Sequence, residues 1–211
     1  MGKLFYIIGK SAAGKDTVYK KILETFPILK PLVTYTTRPM RPGEQEGVQY
    51  HFIDHDKMQE LIQQGLVYEH REYHVSNGDT WEYATVRDDD FKLDGDDDYI
   101  AIGTLVSMRS LVEHIPSYKI VPIHVRCSAV ERLRRAVERE HRSSHPDFEE
   151  VCGRFLSDEE DYSDDKLQHL PRSPIICDTE LTDGVKMIMD EIAYTLSDSN
   201  VRETYLRYIK D

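Results

Sequence analysis

A glycine-framed loop near the start of the chain has the residue types of a phosphate-binding site. It runs from Gly9 to Lys15, follows an apolar stretch that predicts a strand, and precedes a helical pattern. Glycines let the backbone turn and point its N–H groups at phosphate oxygens, the lysine can reach the β- and γ-phosphates, and the helix N-terminus adds its positive dipole end. This P-loop predicts a nucleoside triphosphate site. The predicted triphosphate-binding residues are Gly9, Lys10, Ser11, Ala12, Ala13, Gly14, Lys15, Asp16 and Thr17.

Asp16 departs from the usual form of this loop. In the pattern G-x-x-x-x-G-K-[ST], a hydroxyl follows the lysine and coordinates Mg²⁺. Here a carboxylate follows, and Thr17 offers a hydroxyl one residue later. We therefore expect a Mg²⁺ site of different charge, with Asp16 as its candidate metal ligand. The alternative is a plain glycine turn in which Asp16 only favours the first helical turn electrostatically.

Composition limits the classes of function. With 211 residues, 39% of them hydrophobic and 31% charged, the chain suits one compact core with room for a small appended subdomain. A net charge of −12 argues against nonspecific binding of nucleic acid or of an acidic membrane, although a local basic cleft can still bind a nucleotide. Composition does not decide between a monomer and a homodimer.

Cysteine spacing and apolar runs bear on the compartment. Cys127, Cys152 and Cys177 lack the spacing of a zinc site and are interpreted as reduced, buried thiols. The start of the chain shows no secretory signal, and no apolar run approaches the roughly 20 residues of a membrane span. These features predict a cytoplasmic protein with no membrane partner.

Hydrophobic periodicity and breaker residues predict alternating strands and helices. Helices are predicted at about 15–26, 57–64, 128–141, 147–161 and 182–196. Strands are predicted at about 32–37, 51–53, 99–102, 120–125 and 174–177, with short strands and a turn at Asn77-Gly78 within 66–86. The acidic run 88–98 lacks EF-hand spacing and predicts a solvated helix end and turn. Residues 197–211 predict a helix packed on the core or on a partner.

The segment from Val33 to Phe52, V-T-Y-T-T-R-P-M-R-P-G-E-Q-E-G-V-Q-Y-H-F, comes shortly after the P-loop. It strongly resembles the monophosphate-binding segment of guanylate kinases, and the resemblance continues more weakly to about residue 195. It implies an α/β fold in which a P-loop core with a parallel sheet flanked by helices carries an inserted mixed α+β monophosphate-binding lobe and a helical lid. The implied bounds are 1–33, 87–127 and 160–211 for the core, 34–86 for the lobe and about 128–159 for the lid.

The resemblance also implies an acceptor site for GMP. Its residues would be Thr34, Arg38, Arg41, Tyr50, Glu69, Tyr83 and Thr85. Two guanidiniums and a phenol suit the acceptor phosphate, because they form charge-assisted and directional hydrogen bonds with a dianion. Glu69 would accept hydrogen bonds from the guanine N1–H and amino group, a donor pair that adenine lacks. The alternatives are surface salt bridges for the two arginines and an exposed strand end for Glu69.

Three arginines fall where the lid arginines of that family do: Arg135, Arg139 and Arg154. Closing over the transferring phosphoryl group, they would stabilise its charge and exclude water. With Lys15 and Arg38 they are the implied catalytic residues for transfer of the γ-phosphoryl of ATP to GMP, and to dGMP, with Mg²⁺ as the cofactor. The alternative for Arg135 is a surface pair with Glu131, four residues earlier.

Two departures from guanylate kinases keep other functions open. That family usually carries Asp-x-Asp where this chain has Ala101 and Gly103. The ribose 1,5-bisphosphate phosphokinases resemble the chain in this absence and in the Gly-Lys-Asp of the loop, so phosphorylation of another small phosphate acceptor is the second hypothesis. A catalytically silent, guanylate-kinase-like module that binds phosphorylated proteins is the third.

Overall fold

The computed structural model describes residues 2–41, 43–74, 78–92, 95–143, 146–168, 170, 175–178, 182–196 and 205. The strands are β1 (Leu4–Ile8), β2 (Lys30–Pro31), β3 (Tyr35–Thr36), β4 (His51–Phe52), β5 (Val67–His74), β6 (Thr80–Val86), β7 (Tyr99–Ile102), β8 (Ile120–Arg126) and β9 (Ile175–Asp178). The helices are α1 (Lys15–Thr25), α2 (His55–Gln63), α3 (Leu105–His114), α4 (Ala129–His141), α5 (Phe148–Asp161), α6 (Asp164–Gln168) and α7 (Thr182–Thr195). None of them, within the described chain, is long and apolar enough to cross a membrane.

A parallel five-stranded sheet in the order β2-β7-β1-β8-β9 forms the core. β1 lies at its centre with all five residues buried, because helices cover both faces of the sheet. Alternate side chains pack on opposite faces. Phe5 joins the cluster that contains Ile22 of α1 and Ile192 of α7, whereas Tyr6 joins the cluster that contains Met108 of α3. This sheet holds the start of the P-loop rigidly at the end of β1.

A second sheet, in the order β4-β3-β6-β5, forms the lobe. β5 and β6 are antiparallel, and α2 packs Met58 and Leu61 against Ala84 and Val86. The Asp54 side chain caps α2 by accepting a hydrogen bond from the Lys57 N–H at 2.8 Å. The opposite face of this hairpin is left for the cleft between lobe and core.

The predicted fold class is confirmed, and most predicted helices end within two residues of the observed ones. The strand predicted over 32–37 is observed only at Tyr35–Thr36, in the lobe sheet, and the chain pairs with β7 earlier, at Lys30–Pro31. The acidic run contains no helix among its described residues. Instead, Asp88 closes a turn by accepting from the Asp90 N–H at 2.9 Å. Asn77 and most of 197–211 lie outside the described residues.

Helix α3 was not predicted. Thr104 caps it by accepting from the Ser107 N–H at 3.1 Å, and its buried face packs on the central sheet through Leu105, Met108 and Leu111. The spacing of three residues between these apolar positions is the signal in the sequence that indicates this helix.

Candidate active site

The loop between β1 and α1 depends on unusual backbone angles. Gly9 has a φ of +152°, and a Cβ atom there would lie 2.3 Å from the Val125 carbonyl oxygen. Gly14, with a φ of +101°, comes directly before the first residue of α1. Ala12 has a φ of +59°, a left-handed conformation that costs a residue with a Cβ about 1–2 kcal/mol. The loop therefore adopts a strained, tightly turned shape, as is common at functional sites.

Lys15 folds back over this loop. Its Nζ donates to the carbonyl oxygens of Gly9 at 2.7 Å and Lys10 at 3.1 Å. Burial lowers the pKa of Lys15, while the nearby carboxylates of Asp158 and Asp16 oppose that shift. The ammonium group thus lies at the base of the cleft, partly desolvated, where it can meet a phosphate.

The C-terminal end of α5 lies against the same loop. The Ser11 N–H donates to Asp158 Oδ2 at 2.6 Å, and Lys10 Nζ forms an ion pair with Glu159 Oε2 at 2.6 Å. The Gly9 N–H donates to the Tyr162 hydroxyl at 3.1 Å. A loop that suits an anion therefore already binds a carboxylate of the protein itself.

Arg132 is the functional candidate that sequence reasoning missed. It is 2% exposed, contacts Glu159 directly and lies 3.7 Å from Asp158. Its Nη1 also donates to the Ser11 carbonyl at 3.4 Å, and its guanidinium lies 4.7 Å from the centre of the Phe155 ring. Arg132 thus links α4, α5 and the P-loop. The sequence does not reveal this role, because α4 contains several arginines and only the structure shows that Arg132 is the buried one among those described.

The three predicted lid arginines lie in three different environments. Arg135 Nε pairs with Glu131 Oε1 at 2.7 Å, as the alternative interpretation expected. Arg139 is exposed on α4. Arg154 lines the cleft, and its Nε lies 3.5 Å from Glu150. The structure therefore brings Arg154 to the cleft wall, whereas Arg135 and Arg139 are not among the described residues that line the cleft, although the charge of Arg139 is close enough to act on Lys15.

A cleft of about 580 Å³ separates the P-loop from the lobe. Its P-loop end includes Ser11 and Lys15, and its lobe end includes Thr34, Tyr50 and Tyr83. A second cavity of about 270 Å³ lies beside the P-loop and is lined by Lys10, Ala13, His124, Val125, Arg126, Cys127, Ala129, Arg132, Glu159 and Tyr162. Both cavities thus border the P-loop.

Arg38 and Arg41 differ sharply in environment. Arg38 is 4% exposed, and its Nη2 donates to both carboxylate oxygens of Glu44, at 2.7 and 3.0 Å. The Tyr50 ring centre lies 5.3 Å from its guanidinium. Arg41 is exposed and donates its backbone N–H to Glu44 at 2.7 Å. The hydrogen bond from Arg38 holds the pKa of Glu44 below its ordinary value, so the carboxylate stays charged beside both arginines.

Glu69 is buried and lies behind the cleft wall. It forms an ion pair with Arg71, and Thr85 Oγ1 lies 3.4 Å from its Oε2. Burial raises the pKa of Glu69, and the charge of Arg71 opposes that shift. Arg71 itself lines the cleft and donates to Thr104 Oγ1 at 3.2 Å. Of the predicted acceptor residues, Glu69 and Thr85 are thus reached only past Arg71.

Tyr6 explains why an acid does not fit at Gly103. A Cβ atom at Gly103 would lie 2.0 Å from the Tyr6 hydroxyl oxygen. Tyr6 is 3% exposed and also lines the cleft. Its phenol therefore fills the space that a longer side chain at residue 103 would need.

Two groups of oxygen and nitrogen donors bear on metal binding. Asp16 and Thr17 are exposed at the start of α1, and the Asp16 carboxylate is close enough to act on Lys15. Such oxygen donors suit Mg²⁺. On the other face of the β5–β6 hairpin, His70, Glu72 and Glu82 have ligand atoms within 4.8 Å of one another. There Glu82 already accepts from His55 and His70, at 2.5 and 2.7 Å, so these contacts tie α2 to the hairpin.

Comparison with known proteins supports the resemblance. Residues 1–88 match the family model "Guanylate kinase". The chain is 46% identical over 74 residues to a guanylate kinase of Mycobacterium tuberculosis, covering 35% of this chain and 36% of that protein. It is 41% identical over 69 residues to one of Legionella pneumophila, with 33% of each chain covered. These matches span about a third of the length of the curated relatives.

The fold similarity extends further. The crystal structure of a guanylate kinase from Anaplasma phagocytophilum covers 92% of this chain, with 84% of that chain covered, a TM-score of 0.60 and 19% sequence identity. At that identity the likeness concerns the fold. Together these findings relate the chain to the guanylate kinases: its first 88 residues match the family model, and its fold is one that a guanylate kinase has.

Proposed function

We propose that the protein transfers the γ-phosphoryl group of ATP to the phosphate of GMP, and of dGMP. The observation that carries this proposal is the cleft in which Ser11 and Lys15 of the P-loop face Thr34 and Tyr50 of the lobe. Phosphoryl transfer needs two phosphates held in line and their charge compensated. This cleft suits that need, because the P-loop lies at one end and the lobe segment that carries Thr34 and Tyr50 lies at the other.

Cations supply the charge compensation in this reaction. Lys15 would contact the β- and γ-phosphates, Arg38 and Arg41 the acceptor phosphate, and Arg154 the group in transfer. Arg135 and Arg139 would join when α4 closes. The acceptor phosphate is already ionised near neutral pH, so no general base is needed. Mg²⁺ would neutralise charge on the ATP oxygens, and Asp16 and Thr17 would hold it.

A second candidate acceptor is a small sugar phosphate such as ribose 1,5-bisphosphate. The Glu69–Arg71 ion pair favours it, because a cation at the cleft wall can bind a second phosphate. The departures at Asp16 and Gly103 are shared with the kinases that use such acceptors. A silent binding module has less support, since it would not need the Lys15 contacts of the P-loop.

An ADP-release assay with Mg-ATP tests these alternatives. The acceptors are GMP, dGMP, AMP, UMP, CMP and ribose 1,5-bisphosphate. We expect turnover with the guanine nucleotides, and its loss in Lys15→Ala. Lys21→Ala is the matched control, because Lys21 is exposed on the same helix and pairs with Glu24 at 3.8 Å, away from the residues that line the cleft. Full activity of Lys15→Ala would refute the proposal, and absence of both turnover and ATP binding would favour the binding module.

A further inference from the structure

The Glu69–Arg71 ion pair changes what the base end of the acceptor cleft can recognise. The Glu69 side chain is fully buried, whereas the Arg71 side chain is 19% exposed and lines the cleft. The Arg71 guanidinium also lies 5.9 Å from the Tyr83 ring centre and 6.0 Å from that of Tyr73. A base entering this end would therefore meet Arg71 beside the carboxylate, between aromatic side chains.

Glu69 has one oxygen fewer to offer than an unpaired carboxylate. Its Oε1 is ion-paired with Arg71 Nε, Oε2 accepts from Thr85 Oγ1 at 3.4 Å, and the Ser107 side chain is a further hydrogen-bond partner. This fully buried carboxylate is not among the residues lining the cleft, so it has at most one oxygen open to a base. Guanine presents two donors on this edge, N1–H and the 2-amino group. With at most one oxygen open, the carboxylate cannot form parallel hydrogen bonds to both N1–H and the 2-amino group.

Strand β7 and the residue that follows it supply no replacement carboxylate. β7 has Ala101, and Gly103 follows it. Neither residue has a carboxylate, and the Tyr6 hydroxyl fills the space at Gly103. Neither Ala101 nor Gly103 therefore offers a carboxylate to the 2-amino group, which separates guanine from hypoxanthine.

Arg71 supplies donors for the opposite feature of the ring. A guanidinium is well suited to the O6 and N7 acceptors of a 6-oxopurine. Adenine presents a 6-amino donor at the same place, which a guanidinium donor repels and cannot pair. The electrostatics of Arg71 therefore favour the 6-oxo group whether or not a 2-amino group is present.

Resting on the proposed function, we infer that Arg71 is a specificity-determining residue and that the acceptor class is 6-oxopurine nucleoside monophosphates. Inosine monophosphate is then a substrate alongside GMP, and AMP is rejected. A site built to bind the 2-amino group would reject the analogue that lacks it by about 10⁴-fold or more. Here the kcat/KM values for the two nucleotides fall within about tenfold of each other.

The test compares GMP, inosine monophosphate and AMP by kcat/KM and by calorimetric binding to the full chain. In the wild-type protein we expect the first two within about tenfold and AMP at least a hundredfold lower. Arg71→Gln frees Glu69 Oε1, so preference for GMP over inosine monophosphate rises and rejection of AMP weakens. Arg87→Gln is the control, because Arg87 is exposed at the end of β6 and is not among the residues lining this cleft.

The wild-type comparison decides the inference even if the Arg71 variant does not fold. Turnover and binding of GMP with a thousandfold lower kcat/KM for inosine monophosphate would overturn the inference and leave the proposed function standing. Equal use of AMP would also overturn it. Absence of turnover and binding for all three nucleotides would overturn the proposed function, and the inference with it.

Discussion

Asp158→Asn should make the protein bind ATP more tightly. Asp158 Oδ2 accepts the Ser11 N–H at 2.6 Å, and this N–H belongs to the loop that is expected to bind the triphosphate. ATP must therefore displace the carboxylate before the loop can bind its phosphates. The substitution keeps the shape of the side chain but removes its charge, so the competing interaction becomes weaker.

The size of the effect follows from the type of hydrogen bond. A hydrogen bond to a charged group contributes about 1.5–3 kcal/mol, and one between neutral groups about 1 kcal/mol. The wild-type protein therefore has to give up roughly 1–2 kcal/mol more than the variant when ATP enters. Since about 1.4 kcal/mol corresponds to a factor of ten, the Kd for ATP should fall roughly 5- to 30-fold.

Isothermal titration calorimetry with ATP measures this difference directly. Asp161→Asn is the matched control, because Asp161 lines the same cleft and pairs with Lys166 Nζ at 3.3 Å. The Asp161→Asn substitution removes the same negative charge from α5. Equal affinity gains in both variants would show that net charge, and not the Ser11 contact, controls binding. Weaker ATP binding by Asp158→Asn would refute the idea that this carboxylate competes with the triphosphate.

Two further predictions concern stability. Burial acts to raise the pKa of Glu82, but hydrogen bonds from His55 and His70 outweigh it and leave the pKa below its usual 4.5. The stability that Glu82 contributes is therefore present above its unfolded pKa and is lost as the pH falls through its folded pKa. The Tm values of wild type and Glu82→Gln should approach each other as the pH falls below about 4.5. A difference in Tm that stays constant with pH would contradict this. Ala12→Gly should raise Tm by about 2–4 °C, because relief of the positive φ, about 1–2 kcal/mol, exceeds by about 1 kcal/mol the entropy that glycine adds to the unfolded chain, whereas Ala13→Gly should lower Tm. A lower Tm for both would rule out strain at Ala12.

Local patterns predicted the parts of the site that lie in one continuous segment. The P-loop is flanked by a buried strand and an amphipathic helix, so its position followed from sequence order. The same holds for β7, which matches its predicted bounds, and for α5, which begins within one residue of its predicted start. The bounds of these elements depend mainly on residues close together in the chain, so hydrophobic periodicity and capping residues predict them well.

Contacts between distant segments were not predictable in this way. Arg132 meets Ser11 across 121 residues, and it differs from its exposed neighbours in α4 only by facing α5 and the loop. Glu69 and Arg71 share a face of β5 because they are two residues apart, but their place beside Thr85 and Tyr83 depends on the pairing of β5 with β6. The Tyr6 phenol occupies the space beside Gly103 because β1 and β7 are adjacent. Each depends on strand pairing or helix packing that single-sequence patterns do not determine.

The protein fills both predicted phosphate positions with its own carboxylates. Asp158 accepts from the P-loop at Ser11, and Glu44 accepts from Arg38. In a chain with a net charge of −12, such contacts have a clear physical reason. A buried cation without a partner is costly, and these carboxylates offset that cost, Glu44 for Arg38 and Asp158 for Arg132. In the proposed function, phosphate binding would exchange these carboxylates for phosphates, and the affinity for substrate would depend on how easily α5 and the Glu44 loop release them.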